Sequence, residues 1–201
     1  MATHPMTNNI PENLQLLFLA SAAHLFALST LELAETGGIP PEEHQKAGEE
    51  AIVLARKAME IEVQRTGTES RQAANAMGAL GRVLVYFNDV NDEEAIGLYE
   101  RATTIFSRVY GSTSANVAAG EGNLGAAYGN RANKALSAND LDRALVNLGL
   151  ALSHYRESAR IYTAVNYMDE ADRHAQTIAQ IEENTNAARE ALANPHRRIT
   201  F

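Results

Sequence analysis

The chain has 201 residues, 45% of them hydrophobic and 21% charged, with 17 Lys plus Arg against 25 Asp plus Glu and a net charge of -8. That length and apolar fraction support a folded domain with its own core and exclude a disordered chain. The acidic balance argues against a general nucleic-acid binder, and the absence of cysteine removes disulfides, thiolate zinc sites, iron–sulfur clusters and cysteine nucleophiles.

Residues 1–11 are expected to be a flexible N-terminus, and the first predicted helix spans about 12–35. From Leu14 to Leu31 no Asp, Glu, Lys or Arg occurs. A signal peptide needs a basic start, yet the first Lys or Arg is Lys46. A membrane span is not expected, because Gln15, Ser21, His24, Ser29 and Thr30 interrupt the apolar run. Leu14, Leu17, Phe18, Leu25 and Leu28 form one stripe; Leu16, Leu19, Ala23, Phe26 and Leu33 form another. Apolar residues on every side imply burial on more than one side. A terminal helix of a repeat protein normally keeps a polar outer face. The N-terminal residues, the C-terminal helix or another chain should therefore cover this one. Leu14, Leu17, Phe18, Leu25 and Phe26 are the candidate interface for a homodimer or an obligate partner.

Pro40-Pro41-Glu42-Glu43 reads as a helix start, with proline in the first turn and acids at the positive dipole end. A second helix over about 41–65 stops at Gly67, and Thr68 or Ser70 caps a third over about 69–88. Asn91 with Glu94 reads as a capping box for a fourth, 92–109. Its apolar residues Ala95, Leu98, Tyr99, Ala102, Ile105, Phe106 and Val109 recur at spacings of three and four. Gly111 ends it, and Thr113 or Ser114 opens a fifth, 113–137. Asn139-Asp140 caps a sixth, 140–164. A seventh, 168–192, carries Ala171, Ala175, Ile178, Ile181 and Ala188 on one face and Glu182, Glu183, Asn184 and Arg189 on the other, as a solvating cap would. Residues 193–201 are expected to be a flexible tail. No segment alternates as a strand does, so the fold class is all-α.

The chain also repeats. An offset of 44 carries Ala51, Ala58, Ile61 and Gly67 onto Ala95, Ala102, Ile105 and Gly111, and Ala74, Leu80 and Gly81 onto Ala118, Leu124 and Gly125. Leu80-Gly81 with Ala95, Tyr99 and Ala102, and Leu124-Gly125 with Tyr128, resemble the tetratricopeptide (TPR) signature, in which small residues let two antiparallel helices pack closely. The 44-residue spacing and the loop glycines resemble the longer TPR variant of kinesin light chains. The resemblance covers about residues 41–165, without the tryptophan of the first signature position or the helix-ending proline. It implies a right-handed α-solenoid of about three TPR-like hairpins plus a C-terminal capping helix, spanning 12–192. In the third unit Ala151, Tyr155, Ser158, Ile161 and Tyr162 match Ala95, Tyr99, Ala102, Ile105 and Phe106 at an offset of 56. About 12 residues are thus added between Gly125 and Ala151, and each helix of that hairpin should gain roughly one and a half turns.

Several chemistries are spelled but not supported. Gly120, Gly122 and Gly125 satisfy G-x-G-x-x-G, yet they fall inside a helix, whereas dinucleotide binding needs a strand and a tight turn before a helix N-terminus. The six histidines form no helical ligand pair, and Asp169, Glu170, Asp172 and His174 read as a solvated helix start. No G-x-S-x-G elbow or phosphate loop is present. Catalytic residues, metal and cofactors are therefore all expected to be absent, and the chain is expected not to be an enzyme.

The resemblance implies a concave groove lined by the first helix of each hairpin, taking an extended protein or peptide segment. Groove positions counted from the two Leu-Gly pairs are Asn75, Ala79, Arg82 and Tyr86, then Ala119, Asn123, Ala126 and Asn130, with Arg131 at the edge. An asparagine can donate to and accept from a peptide backbone, and Arg82 can pair with a carboxylate. The lysine–asparagine–arginine clamp of chaperone-binding TPR domains is not visible. The expected function is a cytoplasmic, non-enzymatic scaffold or adaptor; the alternative is a subunit permanently docked in a larger assembly.

Overall fold

Glycines and capping side chains punctuate the described residues into seven helices. The structure, a computed structural model, describes residues 12–87 and 92–193, so residues 1–11, 88–91 and all but the first of 193–201 lie outside it. The helices are α1 (Glu12–Glu35), α2 (Pro41–Thr66), α3 (Arg71–Phe87), α4 (Asp92–Tyr110), α5 (Ala115–Ser137), α6 (Leu141–Ala164) and α7 (Met168–Ala193). Among the described residues there is no strand.

Gly67 ends α2 at φ 86 and ψ 158, a conformation that side-chain-bearing residues scarcely reach, and its amide donates to the Val63 carbonyl at 2.9 Å. Gly111 repeats the device after α4 at φ 88. The Ser70 hydroxyl then accepts from the Ala73 amide, the Ser114 hydroxyl from Val117, and the Asp140 carboxylate from Arg143. Asn91 lies outside the described residues. Glu94, expected as its capping-box partner, instead takes a bidentate bond from Arg56 of α2, with one N–O distance of 2.7 Å. That pairing holds the Glu94 carboxyl below its ordinary range.

Consecutive helices pack as antiparallel hairpins: α1 with α2, α3 with α4, α5 with α6, and α7 against α6. The close next-neighbour backbone approaches are α1–α3, α3–α5 and α5–α7, whereas the even helices meet through longer side chains, as Arg56 of α2 meets Glu94 of α4. Odd helices therefore form one layer and even helices the other, which is the arrangement of an all-α solenoid. A cluster around Leu31, Leu80, Leu84, Tyr99 and Leu124 joins α1 to α5, and a second around Ile105, Phe106, Val117 and Ile161 joins α2 to α7.

Small residues set the spacing within hairpins. A Cβ on Gly81 would lie 2.7 Å from the Tyr99 ring, and one on Gly125 would lie 2.7 Å from the Tyr155 ring. The same glycine-against-tyrosine contact closes two hairpins, so Tyr155 occupies in the third the place of Tyr99 in the second. The third is longer: α5 and α6 have 23 and 24 residues against 17 and 19 in α3 and α4. Ser158, at the position of Ala102, is fully buried and donates its hydroxyl to the Ala118 carbonyl at 2.6 Å.

Helix α1 departs from expectation. Its buried face is Ala20, Ala27, Leu31 and Ala34, which belongs to neither leucine stripe. Phe18 and Leu25 are each 64% exposed, and Leu14, Leu19, Phe26 and Leu33 are exposed as well. The helix meets α2 and α3 through its alanines because only small side chains admit so close an approach. Helix α7 contacts α6 and α5 and leaves α1 alone, so the C-terminal helix does not cover it. The side chain of Leu17 is outside the described residues. In α7 itself, Ala171, Ile181, Thr185 and Ala188 are buried, while Ala175 is exposed.

Candidate functional site: a cleft on the odd-helix layer

The odd helices enclose a cleft of about 340 Å³. Its floor is Tyr99, Ala102 and Phe106 of α4. One wall is His24 and Leu28 of α1; the second is Asn75, Gly78, Ala79 and Arg82 of α3; the third is Asn116, Ala119, Gly120 and Asn123 of α5. A neighbouring cavity of about 360 Å³, bordered by Ser21, Leu25, Glu62 and Gln72, shares His24 and Asn75 with it. The two form one trough between α1 and α3 that opens toward α5. From Gln72 to Arg82 it runs about 15 Å at 1.5 Å per residue, room for four or five residues of extended peptide.

Sequence puts polar groups here by helical spacing. Asn116 and Asn123 lie seven residues apart, and Asn75 and Arg82 do likewise, so each pair shares one face two turns apart. Arg82 is exposed, and it has no ion-pair partner among the described residues. Other arginines of the chain are matched: Arg56 with Glu94, and Arg101 and Arg108 with Glu69. Burial lowers the His24 pKa; Glu62 raises it and Arg82 lowers it further. His24 is thus a neutral imidazole near pH 7, with one nitrogen to donate and one to accept. Burial raises the Tyr99 phenol, and the charge of Arg82 pulls it the other way.

Of the groove residues expected from sequence, the cleft brings together Asn75, Arg82 and Asn123. Tyr86 is on the same α3 face one turn on, but its ring rests on His44 and Phe87, with centroids 5.7 Å and 4.9 Å away. Asn130 is half-buried and borders neither cavity, about 10 Å along α5 from Asn123. Arg131 turns away to Glu93 of α4, at 3.3 Å, and borders a separate depression of about 220 Å³ with Asp92, Lys134, Asp140 and Arg143. The sequence reading missed Asn116, His24 and Glu62, along with Ser21 and Gln72 at the trough's border. Asn116 was legible as the next member of the seven-residue asparagine spacing. His24, an isolated titratable group in a charge-free helix, was a weaker signal. Glu62 had none, since its place follows from how α2 packs.

The three glycines of the G-x-G-x-x-G spelling are packing positions: a Cβ on Gly120 would strike Thr103, one on Gly122 would lie 2.8 Å from His174, and Gly125 faces Tyr155. His174 is tucked between Tyr155 and Tyr162, at centroid distances of 5.2 Å and 5.6 Å. Among the described residues no three His, Asp or Glu side chains gather as a metal site would require. His154 contacts Glu121 at 2.7 Å and stacks on Tyr128, but this pair borders none of the three cavities.

No protein-family model matches the chain, and no curated protein matches it. Among solved structures it is similar to the crystal structure of BtubC (BKLC) from P. vanneervenii, at 20% identity and a TM-score of 0.43, over 89% of this chain and 67% of that one.

Proposed function

We propose that the chain is a non-enzymatic TPR-type scaffold whose odd-helix cleft holds an extended, acidic segment of a partner protein. The observation that carries this reading is Arg82: an exposed guanidinium without a carboxylate partner among the described residues, in a concave cleft shared with Asn75, Asn116 and Asn123. The asparagines offer paired donors and acceptors for a backbone that lacks its own hydrogen bonds, and Arg82 offers a bidentate seat for one acidic side chain or a C-terminal carboxylate. The repeated glycine–tyrosine hairpin contact supports the TPR assignment. A permanently docked subunit is the second reading, and it draws on the exposed apolar face of α1 rather than on the cleft.

The test is selection from a random peptide display library, followed by fluorescence polarisation with the enriched peptides. Enriched sequences should carry Asp or Glu at a fixed position, and Arg82→Glu should weaken binding about tenfold or more with an unchanged melting temperature. Peptides without acidic preference, or equal affinity for the Arg82→Glu variant, would remove this reading.

A further inference from the structure

Helix α1 carries a pattern that the cleft does not use. At 100° per residue, Phe18, Leu19, Ala22, Leu25, Phe26, Ser29 and Leu33 fall in one outward sector of roughly 120°. All seven are exposed, and the buried alanines lie on the opposite side. The sector is symmetric about Ala22: Leu19 and Leu25 stand three residues to either side, and Phe18 and Phe26 four. A two-fold contact between identical surfaces requires such self-complementarity, since residue i meets j and j meets i. Two antiparallel α1 helices crossing at Ala22 place Phe18 on the partner's Phe26 and Leu19 on the partner's Leu25. The small side chain at the crossing point lets the backbones come close.

We infer that α1 pairs with α1 of a second copy in an antiparallel, two-fold contact centred on Ala22.

Charge and area agree with that occupant. The chain carries a net charge of -8, yet Leu14 to Leu31 contains no charged residue, so two copies meet here without repulsion. Phe18, Leu19, Leu25, Phe26 and Leu33 are 51–64% exposed. With about 200 Å² for each fully exposed side chain they offer roughly 600 Å² per copy, or about 1,200 Å² for the pair, the lower edge of stable interfaces. A lipid bilayer fits less well. Leu14–Glu35 is long and apolar enough to cross one, with a hydropathy of 1.7, but Ala20, Ala27 and Leu31 are already packed on α2 and α3.

The inference does not rest on the peptide reading of the cleft: Leu25 borders the trough as well, but Ala22, where the test substitutions sit, lies outside it. Light scattering on the full chain should give about 44 kDa, twice the 21.8 kDa of one copy. Ala22→Glu sets two carboxylates against each other at the axis and should give the monomer mass with unchanged circular dichroism. The chain has no cysteine, so Ala22→Cys introduces a single thiol that faces its own copy. Mild oxidation should cross-link it about tenfold faster than Val53→Cys, a control on exposed apolar surface of α2. A wild-type mass of one copy, a mass above two, or equal cross-linking of the two cysteine variants would overturn the inference. So would flotation of the wild-type chain with phosphatidylcholine vesicles in place of dimer formation. The cysteine variants keep the test decisive should Ala22→Glu fail to fold.

Discussion

Gly81 and Gly78 lie three residues apart in α3, and the packing predicts opposite signs for the same substitution. Alanine is favoured over glycine inside a helix by about 1 kcal/mol. At Gly78 nothing lies within 4 Å of an added Cβ, so Gly78→Ala should stabilise by about 0.5–1 kcal/mol, or roughly 2–4 °C in a chain of this size. At Gly81 the Cβ would approach three Tyr99 ring carbons at 2.7, 2.8 and 3.1 Å. Tyr99 is only 2% exposed, so shifting its ring would disturb the cluster of Leu80, Leu84 and Leu124 around it. Overpacking of this kind costs about 1–3 kcal/mol, which outweighs the helix-propensity gain and leaves Gly81→Ala a net loss of up to about 2 kcal/mol. Gly125→Ala and Gly129→Ala repeat the contrast on α5, with a smaller loss at Gly125 because Tyr155 is only half-buried. Urea unfolding followed by circular dichroism reads all four. In a double-mutant cycle Tyr99→Leu should relieve Gly81→Ala, with a coupling of about 1 kcal/mol. If Gly81→Ala stabilises as much as Gly78→Ala, the close α3–α4 contact, and with it the hairpin geometry, is wrong.

Two further outcomes follow from buried polar groups. The Thr103 hydroxyl is buried without a hydrogen-bond partner beside Gly120, so Thr103→Val should raise stability by about 1 kcal/mol in the same urea assay. Burial lowers the pKa of His24 and His174 below the ordinary 6.5, with Arg82 and Arg173 acting in the same direction and Glu62 and Glu170 against it. Their contribution is fully present above pH 6.5; as pH falls below it the unfolded chain takes up protons the folded chain resists, and stability declines until the lowered folded values are reached. Urea midpoints should therefore drift down from pH 7 to 5.5, and the combined His24→Gln, His174→Gln variant should flatten that drift. Glu94 acts lower, its contribution being lost as pH falls below the ordinary carboxylate range.

What could be read from the chain was local or repeated. Gly67, Gly111, Ser70, Ser114 and Asp140 mark helix ends by their own backbone and hydroxyl or carboxylate chemistry, so all seven helices begin and end within about two residues of expectation. The repeat tied Tyr155 to Tyr99 across an irregular offset, because both positions need a wide ring opposite a glycine. Long-range pairing was not legible: Arg56 reaches Glu94 across 38 residues, and nothing local to Glu94 distinguishes that partner from its own helix cap. The facing of α1 was not legible either. Hydropathy marked apolar residues on every side without telling which of them meet α2 and α3, whereas close helix contact selected the alanines and left the large side chains outside. In the cleft, counting from Leu80-Gly81 and Leu124-Gly125 located Asn75, Arg82 and Asn123. It overran at Tyr86, whose ring packs on His44 and Phe87, and at Asn130, which borders neither cavity.

The most direct test of the cleft as a peptide seat is an NMR titration of isotope-labelled chain with one display-selected acidic peptide. Shifts should concentrate on Asn75, Arg82, Asn116 and Asn123, with the His24 imidazole responding and Arg131 silent. Shifts confined to α2, α6 or the outward face of α1 would place binding elsewhere and contradict the account.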